Sequence, residues 1–268
     1  MLKKIGFIGA GKMAQAMIAG IIQSNQITRE NIMASSATEK TRMAVSEKYA
    51  INVSLNNKDV ARFADILILA VKPSQHLEII DEIKKEINPH TIIVTIAAGI
   101  TLADIERLFG LPVKTVRTMP NTPSLVGEGM TALCANKSMN EIEIEAVEQL
   151  LQCFGQTERL EENLMDAVPS ISGSSPAYVY MLIEAMADGG VRQGIPRDKA
   201  YRLAAQAVLG AAKMVLETDR HPGELKDQVC TPGGATIEAV AALEREQFRG
   251  SILAAMESCT SKVKNLGS

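Results

Sequence analysis

The sequence predicts a doubly wound, mostly parallel α/β sheet for residues 1–161 and an all-α fold for residues 162–268. In the first part, short β-branched runs alternate with segments of helical spacing, which indicates parallel strands covered by helices on both faces. This strand pattern stops after about Glu161. Beyond it, long alanine-rich segments carry apolar residues at helical spacing, so two domains of different fold class are expected.

The elements of the first part alternate along the chain. Its strand candidates are nearly continuous apolar runs, as expected for strands that are buried on both faces. They are "KKIGFIG", "NIMAS", "DILILAV", "TIIVTIA", "VKTVRTM" and "MTALCAN". Helical spacing is present in Lys12–Ser24, Thr38–Ala50, Gln75–Ile87 and Glu141–Phe154.

Three long helices are predicted in the second part. Their segments are "PAYVYMLIEAMADGGVRQG", "PRDKAYRLAAQAVLGAAKMVLET" and "REQFRGSILAAMESCTSKVKNL". Pro176 and Pro196 open the first two, and we expect each at the first helical position, where a missing N–H is harmless. Between the second and third segments, "VCTPGGAT" (Val229–Thr236) interrupts a further helical pattern. Small residues in the middle segment allow close helix packing, in a tight core or against a second subunit: Ala204, Ala205, Ala207, Gly210, Ala211 and Ala212.

Composition favours a small-molecule substrate. The formal net charge of −3 offers no excess of positive charge for nucleic acid or an anionic membrane surface. No window reaches the roughly 18 uncharged apolar residues of a membrane span. The N-terminal "MLKKIGFIGAGKM" is short, broken by glycine and followed by charged sequence, so it predicts a first strand rather than a signal peptide.

The cysteines predict neither a metal site nor a disulfide framework. Cys134, Cys153, Cys230 and Cys259 are widely spaced, form no CxxC pair and have three scattered histidines around them. Free thiols of this kind are typical of a reducing compartment. We therefore expect a cytoplasmic protein.

The stretch "GFIGAGKMAQA" predicts a dinucleotide site. Gly9, Gly11 and Ala14 form a G-x-G-x-x-A fingerprint directly after a strand and at the start of a helix, the context that distinguishes it from a structural glycine turn. Gly9 allows the tight turn, Gly11 lets the backbone approach the pyrophosphate, and Ala14 lets the helix meet the strand. The helix N-terminus then faces the phosphates. The first domain is therefore expected to be a Rossmann domain.

The end of the second predicted strand favours NADPH as cofactor. NAD-specific sites usually place a carboxylate there to bind the ribose 2′-hydroxyl. This chain instead has Ser35 and Ser36, with Lys40 and Arg42 close behind, and hydroxyls and cations suit a 2′-phosphate. NADH stays an alternative because Glu39 is near. In another interpretation, the two cations merely lie on an exposed helix.

Three further loops fall at predicted strand ends, where doubly wound sheets bind ligands. They are "AVKP" (Ala70–Pro73), "AAG" (Ala97–Gly99) and "RTMPNTP" (Arg117–Pro123). Small residues there leave room for the nicotinamide ribose, and prolines make the loop walls rigid. We therefore include Ala97 and Ala98 among the candidate cofactor contacts.

Together, these motifs resemble pyrroline-5-carboxylate reductases, which reduce the cyclic imine pyrroline-5-carboxylate to proline in the last step of proline biosynthesis. The match continues in order through "SGSSPAY", "EAMADGGVRQGIPR" and "AAQAVLGAAKM" to "HPGELKDQVCTPGGATIEAVAALE", and the last block is far more specific than the glycine fingerprint. The resemblance implies a Rossmann domain over residues 1–161 and a helical substrate-binding and dimerisation domain over residues 162–268. It also implies dimers, which often assemble further into decamers.

The resemblance carries the family's ligand contacts over to matching positions. The implied cofactor contacts are Gly9, Ala10, Gly11, Lys12, Met13, Ser36, Asn57, Ala70, Val71, Lys72 and Pro73. The implied substrate region comprises Ser175, Gln228, Val229, Thr231, Gly233, Gly234 and Thr236. This chain departs from the family at Ser175, where many relatives have glycine, and at Gln228, where asparagine is common.

The expected chemistry needs no strong protein acid. Hydride transfer to a C=N bond requires the nicotinamide C4 near the imine carbon, and the protein mainly positions and polarises. The resemblance assigns Thr236 to the imine nitrogen, and no histidine falls in a candidate pocket loop. "TPGGAT" resembles a helix N-terminus that binds the substrate carboxylate, with Thr231 as N-cap and Pro232 at the first helical position.

Two other functions fit parts of the pattern. Hydroxyacid dehydrogenases also join a Rossmann domain to a helical domain, but they generally use a lysine of the helical part. Here Lys199, Lys213 and Lys226 lie in patterns typical of exposed helix faces. A dinucleotide-sensing regulator without catalysis is the second alternative, and the intact signature argues against it.

Overall fold

The structure of the protein is a computed structural model that describes residues 3–265 and divides into two compact units. The first unit contains the chain up to Ser174 together with the segment from Cys259, and the second unit is Ser175–Ser258. The expected domain boundary at residue 161 and this division differ by the stretch 162–174. That stretch lies with the first unit because Met165 and Val168 are buried beside Leu102 and Met119.

The first unit is built on one twisted sheet whose strand order is β3-β2-β1-β4-β5-β6-β7-β8. Neighbouring strands are parallel except for β6 and β7, which are antiparallel. The strands are β1 Ile5–Ile8, β2 Ile32–Ser35, β3 Asn52–Ser54, β4 Ile66–Leu69, β5 Ile92–Thr95, β6 Lys114–Met119, β7 Gly129–Ala135 and β8 Gly155–Arg159. The prediction of a doubly wound, mostly parallel sheet is confirmed.

The two strands that the sequence pattern misses lie at the edges of the sheet. β3 (Asn52–Ser54) and β8 (Gly155–Arg159) are short or polar, and neither is a β-branched apolar run. Edge strands have one free side and need no apolar face, so pairing with a neighbour decides their conformation.

Six helices cover the two faces of the sheet. They are α1 Lys12–Gln23, α2 Glu39–Tyr49, α3 Asn57–Phe63, α4 His76–Ile83, α5 Leu102–Phe109 and α6 Glu141–Leu151. The predicted segments correspond to α1, α2, α4 and α6, while α3 and α5 are additional. α5 begins at a capping box in which Thr101 and Asp104 bond each other's backbone N–H groups.

Alternate residues of the central strands enter two separate cores. Ile66, Ile68 and Val94 belong to the core on one face, and Leu67 and Ile93 belong to the core on the other. All five are fully buried. Burial on both faces explains why these strands are continuous apolar runs.

The second unit is helical. Its helices are α7 Ser175–Arg192, α8 Arg197–Thr218, α9 Pro222–Val229 and α10 Ala235–Arg245, and α11 Phe248–Lys264 runs from it into the segment that groups with the first unit. The expected first-position prolines are wrong by one residue: Pro176 is the second residue of α7, and Pro196 is the N-cap of α8. The ψ of 138° at Pro196 is extended, so the helix begins after it.

Candidate functional site

The turn between β1 and α1 has two glycines with different geometry. Gly9 has a φ of +96°, and a Cβ there would lie 2.5 Å from the Ala70 carbonyl oxygen. Its N–H donates to the Ser35 carbonyl at 3.2 Å, which ties the turn to the end of β2. Gly11 has a φ of −71°, and among residues 3–265, its two chain neighbours aside, no atom lies within 4 Å of the place that a Cβ would take.

The start of α1 is open toward a ligand. Gly11 is the N-cap of α1 and makes no side-chain cap bond, and no other described side chain caps the first backbone N–H groups of this helix. Lys12 is exposed, Met13 is half-buried, and the Ala10 carbonyl is already bonded by the Gln15 side chain at 3.0 Å. An uncapped N-terminus of a twelve-residue helix with space above Gly11 fits a pyrophosphate.

The polar groups at the end of β2 form hydrogen bonds with neighbouring elements. The Ser35 hydroxyl donates to Asn57 Oδ1 at 2.7 Å, and Asn57 Nδ2 donates to Glu82 Oε2 at 2.8 Å. The Arg42 guanidinium donates to the Ser36 carbonyl at 2.7 Å. The structure therefore brings a cation to the predicted ribose position at the end of β2.

The loops after β4 and β5 lie beside this turn because β2, β1, β4 and β5 are consecutive in the sheet. The Ala70 N–H donates to the Ile8 carbonyl at 2.8 Å, and the Ala97 N–H donates to Thr95 Oγ1 at 3.3 Å. Lys72 and Pro73 begin a short 3-10 turn. Parallel strands thus bring the sequence-predicted cofactor residues to one edge, although their contacts with a dinucleotide stay a prediction.

One residue at this edge was not singled out by the sequence pattern. His76, the first residue of α4, is 1% exposed. Its Nδ1 lies 3.1 Å from the Lys72 carbonyl and its Nε2 lies 3.1 Å from Thr95 Oγ1. Burial is the main cause that lowers the pKa of His76. A buried histidine between two candidate loops has no signal in sequence spacing, because its partners are on different strands.

Strand β6 and the loop after it are anchored to residues 162–174. Asn121 Nδ2 donates to the Ser172 carbonyl at 3.0 Å, and Asn121 Oδ1 accepts from the Met130 N–H at 2.9 Å. Arg117, 1% exposed, pairs with Asp166. These bonds fix the position of the segment "RTMPNTP" (Arg117–Pro123) at the carboxyl end of β6.

In the second unit, "VCTPGGAT" links α9 to α10 through a tight turn. The Gly234 N–H donates to the Thr231 carbonyl at 3.0 Å, and Gly233 has a φ of +68°. Proline at the second turn position and a left-handed glycine at the third correspond to a type II turn. A Cβ on Gly234 would lie 2.3 Å from Thr231 Oγ1 and 3.1 Å from the Thr231 carbonyl oxygen, so a larger residue there would require the Thr231 side chain to move.

Two predictions about this segment are wrong. Gly234, not Thr231, is the N-cap of α10, and Pro232 lies in the turn rather than at the first helical position. The left-handed Gly233 is the physical reason, since a helix cannot continue through it. α10 has no side-chain cap, so its first N–H groups are open to an anion.

The other candidate substrate residues occupy helix ends of the second unit. Ser175 is the first residue of α7, and Thr236 is the second residue of α10 and half-buried. Within residues 3–265, the Thr236 hydroxyl has no side-chain hydrogen bond. Val229 ends α9 and is 63% exposed, while Gln228 bonds Glu224 on its own helix at 3.3 Å. Their roles toward substrate stay predictions.

Two lysines of the helical unit are engaged at the surface. Lys213 pairs with Glu217 at 3.4 Å and Lys226 pairs with Asp227 at 2.9 Å. Such exposed pairs give no support to a catalytic lysine. Over the described range 3–265, no cluster of three metal-ligating side chains is present, and no helix is long and apolar enough to cross a membrane.

Comparisons with known proteins agree with this geometry. Residues 162–266 match the family model for pyrroline-5-carboxylate reductase dimerisation, and residues 4–99 match the model for NADP oxidoreductase, coenzyme F420-dependent. The pyrroline-5-carboxylate reductase of Escherichia coli (strain K12) is 45% identical, with 99% of both chains covered. Pyrroline-5-carboxylate reductase 2 of Bos taurus is 41% identical, with 98% of this chain and 84% of the relative covered.

Solved structures are similar over the whole chain. The Plasmodium falciparum pyrroline carboxylate reductase with NADP bound has a TM-score of 0.90 at 33% identity, covering 99% of this chain and 98% of that one. The Coxiella burnetii pyrroline-5-carboxylate reductase has a TM-score of 0.92 at 30% identity, with both chains fully covered. A 3-hydroxyisobutyrate dehydrogenase of Mycobacterium tuberculosis reaches 0.52 at 12% identity, over 82% of this chain and 72% of that one, and shares the fold alone.

Proposed function

The chain belongs to the pyrroline-5-carboxylate reductase family, and from this premise we infer that it reduces 1-pyrroline-5-carboxylate to L-proline with a nicotinamide dinucleotide. This is the last step of proline biosynthesis. The observation that carries the inference is the uncapped N-terminus of α1, with open space above Gly11 at the carboxyl edge of a parallel sheet. It is the place where a doubly wound fold binds a dinucleotide.

The residues of the first unit hold the cofactor. Backbone N–H groups at Gly11, Lys12 and Met13 bind the pyrophosphate, with the positive end of the α1 dipole behind them. Ser36 and Asn57 hold the adenosine ribose, and the loops at 70–73 and 97–98 surround the nicotinamide ribose. When bound, the reduced nicotinamide supplies the hydride for the imine carbon.

The residues of the second unit hold the substrate. The uncapped start of α10 offers its first backbone N–H groups to the substrate carboxylate, next to the turn that the Gly234 N–H closes on the Thr231 carbonyl. The Thr236 hydroxyl accepts from the N–H of the protonated imine and thereby orients the ring. Since the protonated imine is already electrophilic, positioning by a neutral hydroxyl is sufficient. Ser175, Gln228 and Val229 line the substrate region.

The direct test is an assay with purified protein, pyrroline-5-carboxylate and NADPH, with NADH in parallel, followed by loss of the reduced nicotinamide absorbance. We expect oxidation with both cofactors and faster oxidation with NADPH. Absence of oxidation with either one, beside measurable dinucleotide binding, would instead favour the regulatory alternative. Reduction of NADP⁺ by a hydroxy acid would favour the dehydrogenase.

We propose NADPH as the preferred cofactor, because Arg42 lies at Ser36 through a 2.7 Å hydrogen bond. An arginine there forms a stronger, charge-assisted hydrogen bond with a 2′-phosphate than with an uncharged 2′-hydroxyl. Arg42→Ala should therefore raise the KM for NADPH by about tenfold, the effect of losing one charged hydrogen bond, and leave the KM for NADH nearly unchanged.

The matched control for Arg42→Ala is Lys48→Ala, which removes an exposed cation from the last turn of the same helix. Lys48→Ala should leave the KM values for NADPH and NADH within about twofold of wild type, since an exposed charge at the far end of α2 contributes little to cofactor binding. Equal weakening of NADPH and NADH in Arg42→Ala would show that Arg42 stabilises the Ser36 loop and does not read the phosphate.

We propose that the chain forms a homodimer and that dimers assemble further, up to decamers. Residues 162–266 match a dimerisation model, which supports self-association. The second unit also exposes many large apolar side chains, more than a monomer usually leaves in water. Tyr180, Met181, Leu203, Leu209, Leu216 and Leu253 are each at least 55% exposed.

Light scattering at micromolar concentration should give a mass of at least two chains. The mass should persist on tenfold dilution, as expected for an apolar interface of obligate type. A stable monomer over this range would contradict the proposal.

We further propose that residues 162–268 form the functional substrate-binding and dimerisation domain. We also propose a cytoplasmic location, in keeping with the four unpaired cysteines.

A further inference from the structure

We propose that His76 is a positioning residue that connects the two cofactor loops after β4 and β5. The inference rests on the proposed function, in which residues 70–73 and 97–98 contact the dinucleotide. His76 itself touches neither cofactor nor substrate, and it acts through the backbone at Lys72 and the hydroxyl of Thr95.

The geometry places the imidazole as a bridge between two neighbouring strands. Nδ1 is 3.1 Å from the Lys72 carbonyl, within the loop that follows β4. Nε2 is 3.1 Å from Oγ1 of Thr95, the last residue of β5. One end of the ring therefore reaches the loop after β4 and the other reaches the end of β5, directly before the next loop, and His76 is 1% exposed.

The hydrogen-bond chemistry of this bridge assigns one tautomer. A backbone carbonyl only accepts, so Nδ1 of His76 must carry the proton that bonds Lys72. In the neutral ring, Nε2 then accepts from the Thr95 hydroxyl. Thr95 Oγ1 in turn accepts from the Ala97 N–H at 3.3 Å, so all donors and acceptors along the chain are matched.

Burial favours this neutral form. Removal from water disfavours the imidazolium and lowers the pKa of His76, while the bond to the Lys72 carbonyl opposes this in part. The lowered pKa favours the neutral ring at physiological pH. The donors and acceptors in the series of hydrogen bonds from Lys72 to Ala97 therefore keep the same roles. A buried bridge of this kind is costly to break, because each partner is left without a hydrogen bond.

The consequence for function is alignment of the two loops. The Thr95 carbonyl also accepts from the Thr118 hydroxyl at 3.0 Å, which extends the connection to β6. Loops connected in this way are preorganised for the nicotinamide ribose, so less ordering is needed when the cofactor binds. Loss of His76 should therefore weaken dinucleotide binding more than it slows hydride transfer.

The experiment measures NADPH dissociation constants, steady-state constants and thermal stability for three variants in the full-length chain. His76→Met fills the site with an unbranched apolar side chain and removes both ring nitrogens, and Thr95→Val replaces only the hydroxyl with a methyl group. Thr91→Val is the matched control, since its buried hydroxyl donates to the Ala64 carbonyl at 3.0 Å at the opposite end of β5.

We expect His76→Met and Thr95→Val each to raise the NADPH dissociation constant by roughly threefold to tenfold, the effect of one or two buried hydrogen bonds. kcat should fall by less than about twofold, and the double variant should be little weaker than either single one. Thr91→Val should lose comparable thermal stability with unchanged NADPH affinity.

An NADPH dissociation constant that stays at the wild-type value in folded Thr95→Val and His76→Met would overturn the inference. So would equal weakening in Thr91→Val, because the effect would then follow stability alone. Dinucleotide binding needs no turnover, so a wild-type protein that binds NADPH without reducing pyrroline-5-carboxylate would refute the proposed function and still allow this test.

Discussion

Gly11→Ala is expected to remove most of the affinity for the dinucleotide while the protein without cofactor stays folded and nearly as stable as wild type. The φ of −71° suits alanine, and in the described part of the chain only the two sequence neighbours of Gly11 come within 4 Å of the added methyl group. In the proposed binding mode a pyrophosphate occupies this space, so the added methyl group would meet the ligand and not the protein. We expect affinity to fall on the order of a hundredfold, which corresponds to about 2.8 kcal/mol.

Gly9→Ala is the informative companion of Gly11→Ala. Its φ of +96° is unfavourable for alanine, and its Cβ would lie 2.5 Å from the Ala70 carbonyl oxygen and 2.9 Å from the Val71 side chain. The left-handed conformation alone costs about 1–2 kcal/mol, and the close contact adds to it. Gly9→Ala should therefore lower the melting temperature without any ligand present.

Calorimetric titration with NADPH and thermal melts of the cofactor-free protein separate the two glycines. Gly11→Ala should change the titration and leave the free energy of unfolding within about 1 kcal/mol of wild type. Gly9→Ala should change both. If Gly11→Ala bound NADPH as tightly as wild type, the pyrophosphate would lie elsewhere, and the assignment of the α1 N-terminus would be wrong.

Thr236→Val has the second large expected effect, this time on turnover. Valine keeps the shape of threonine and removes the hydroxyl that we assign to the imine nitrogen. kcat/KM for pyrroline-5-carboxylate should fall by about a hundredfold, as for other groups that orient a reacting atom. NADPH affinity should remain within about twofold, since Thr236 belongs to the second unit.

Thr236→Ser and Thr231→Val make the assignment specific. Serine restores the hydroxyl and should recover most of kcat/KM. Thr231→Val removes the side-chain hydroxyl at the first position of the Thr231–Gly234 turn but keeps the carbonyl that closes the turn. We therefore expect a smaller fall in kcat/KM than in Thr236→Val. Parallel loss of NADPH affinity and turnover in Thr236→Val would indicate a structural role for this residue.

Much of the first unit could be predicted from local sequence. The six central and near-central strands are apolar runs because they are buried on both faces, and the G-x-G-x-x-A turn has the φ of +96° that requires glycine at position 9. β3 and β8 could not be predicted in this way, since "NVS" and "GQTER" carry no buried periodicity. Their strand conformation comes from pairing at the sheet edges.

In the candidate site, too, some features could be predicted from the sequence and others could not. The glycine residues and the "AVKP" loop carry chemical signals that are readable along the chain, whereas the role expected for Thr236 comes from the family resemblance. The start of α10 was misplaced because proline before a helix suits both the N1 position and a type II turn, and only the φ of +68° at Gly233 selects the turn.

The sequence by itself determined the fold class and, through its resemblance, the family, and it indicated the types of residue at the candidate cofactor site. Fold class and site motifs could be predicted because they depend on local periodicity and on stereochemical requirements. The tertiary structure alone decided which loops meet and how polar groups pair. Arg42 at Ser36, the Ser35–Asn57–Glu82 hydrogen bonds and His76 between Lys72 and Thr95 are examples. Their partners lie on different elements, and the strand order that brings these elements together has no counterpart in local spacing.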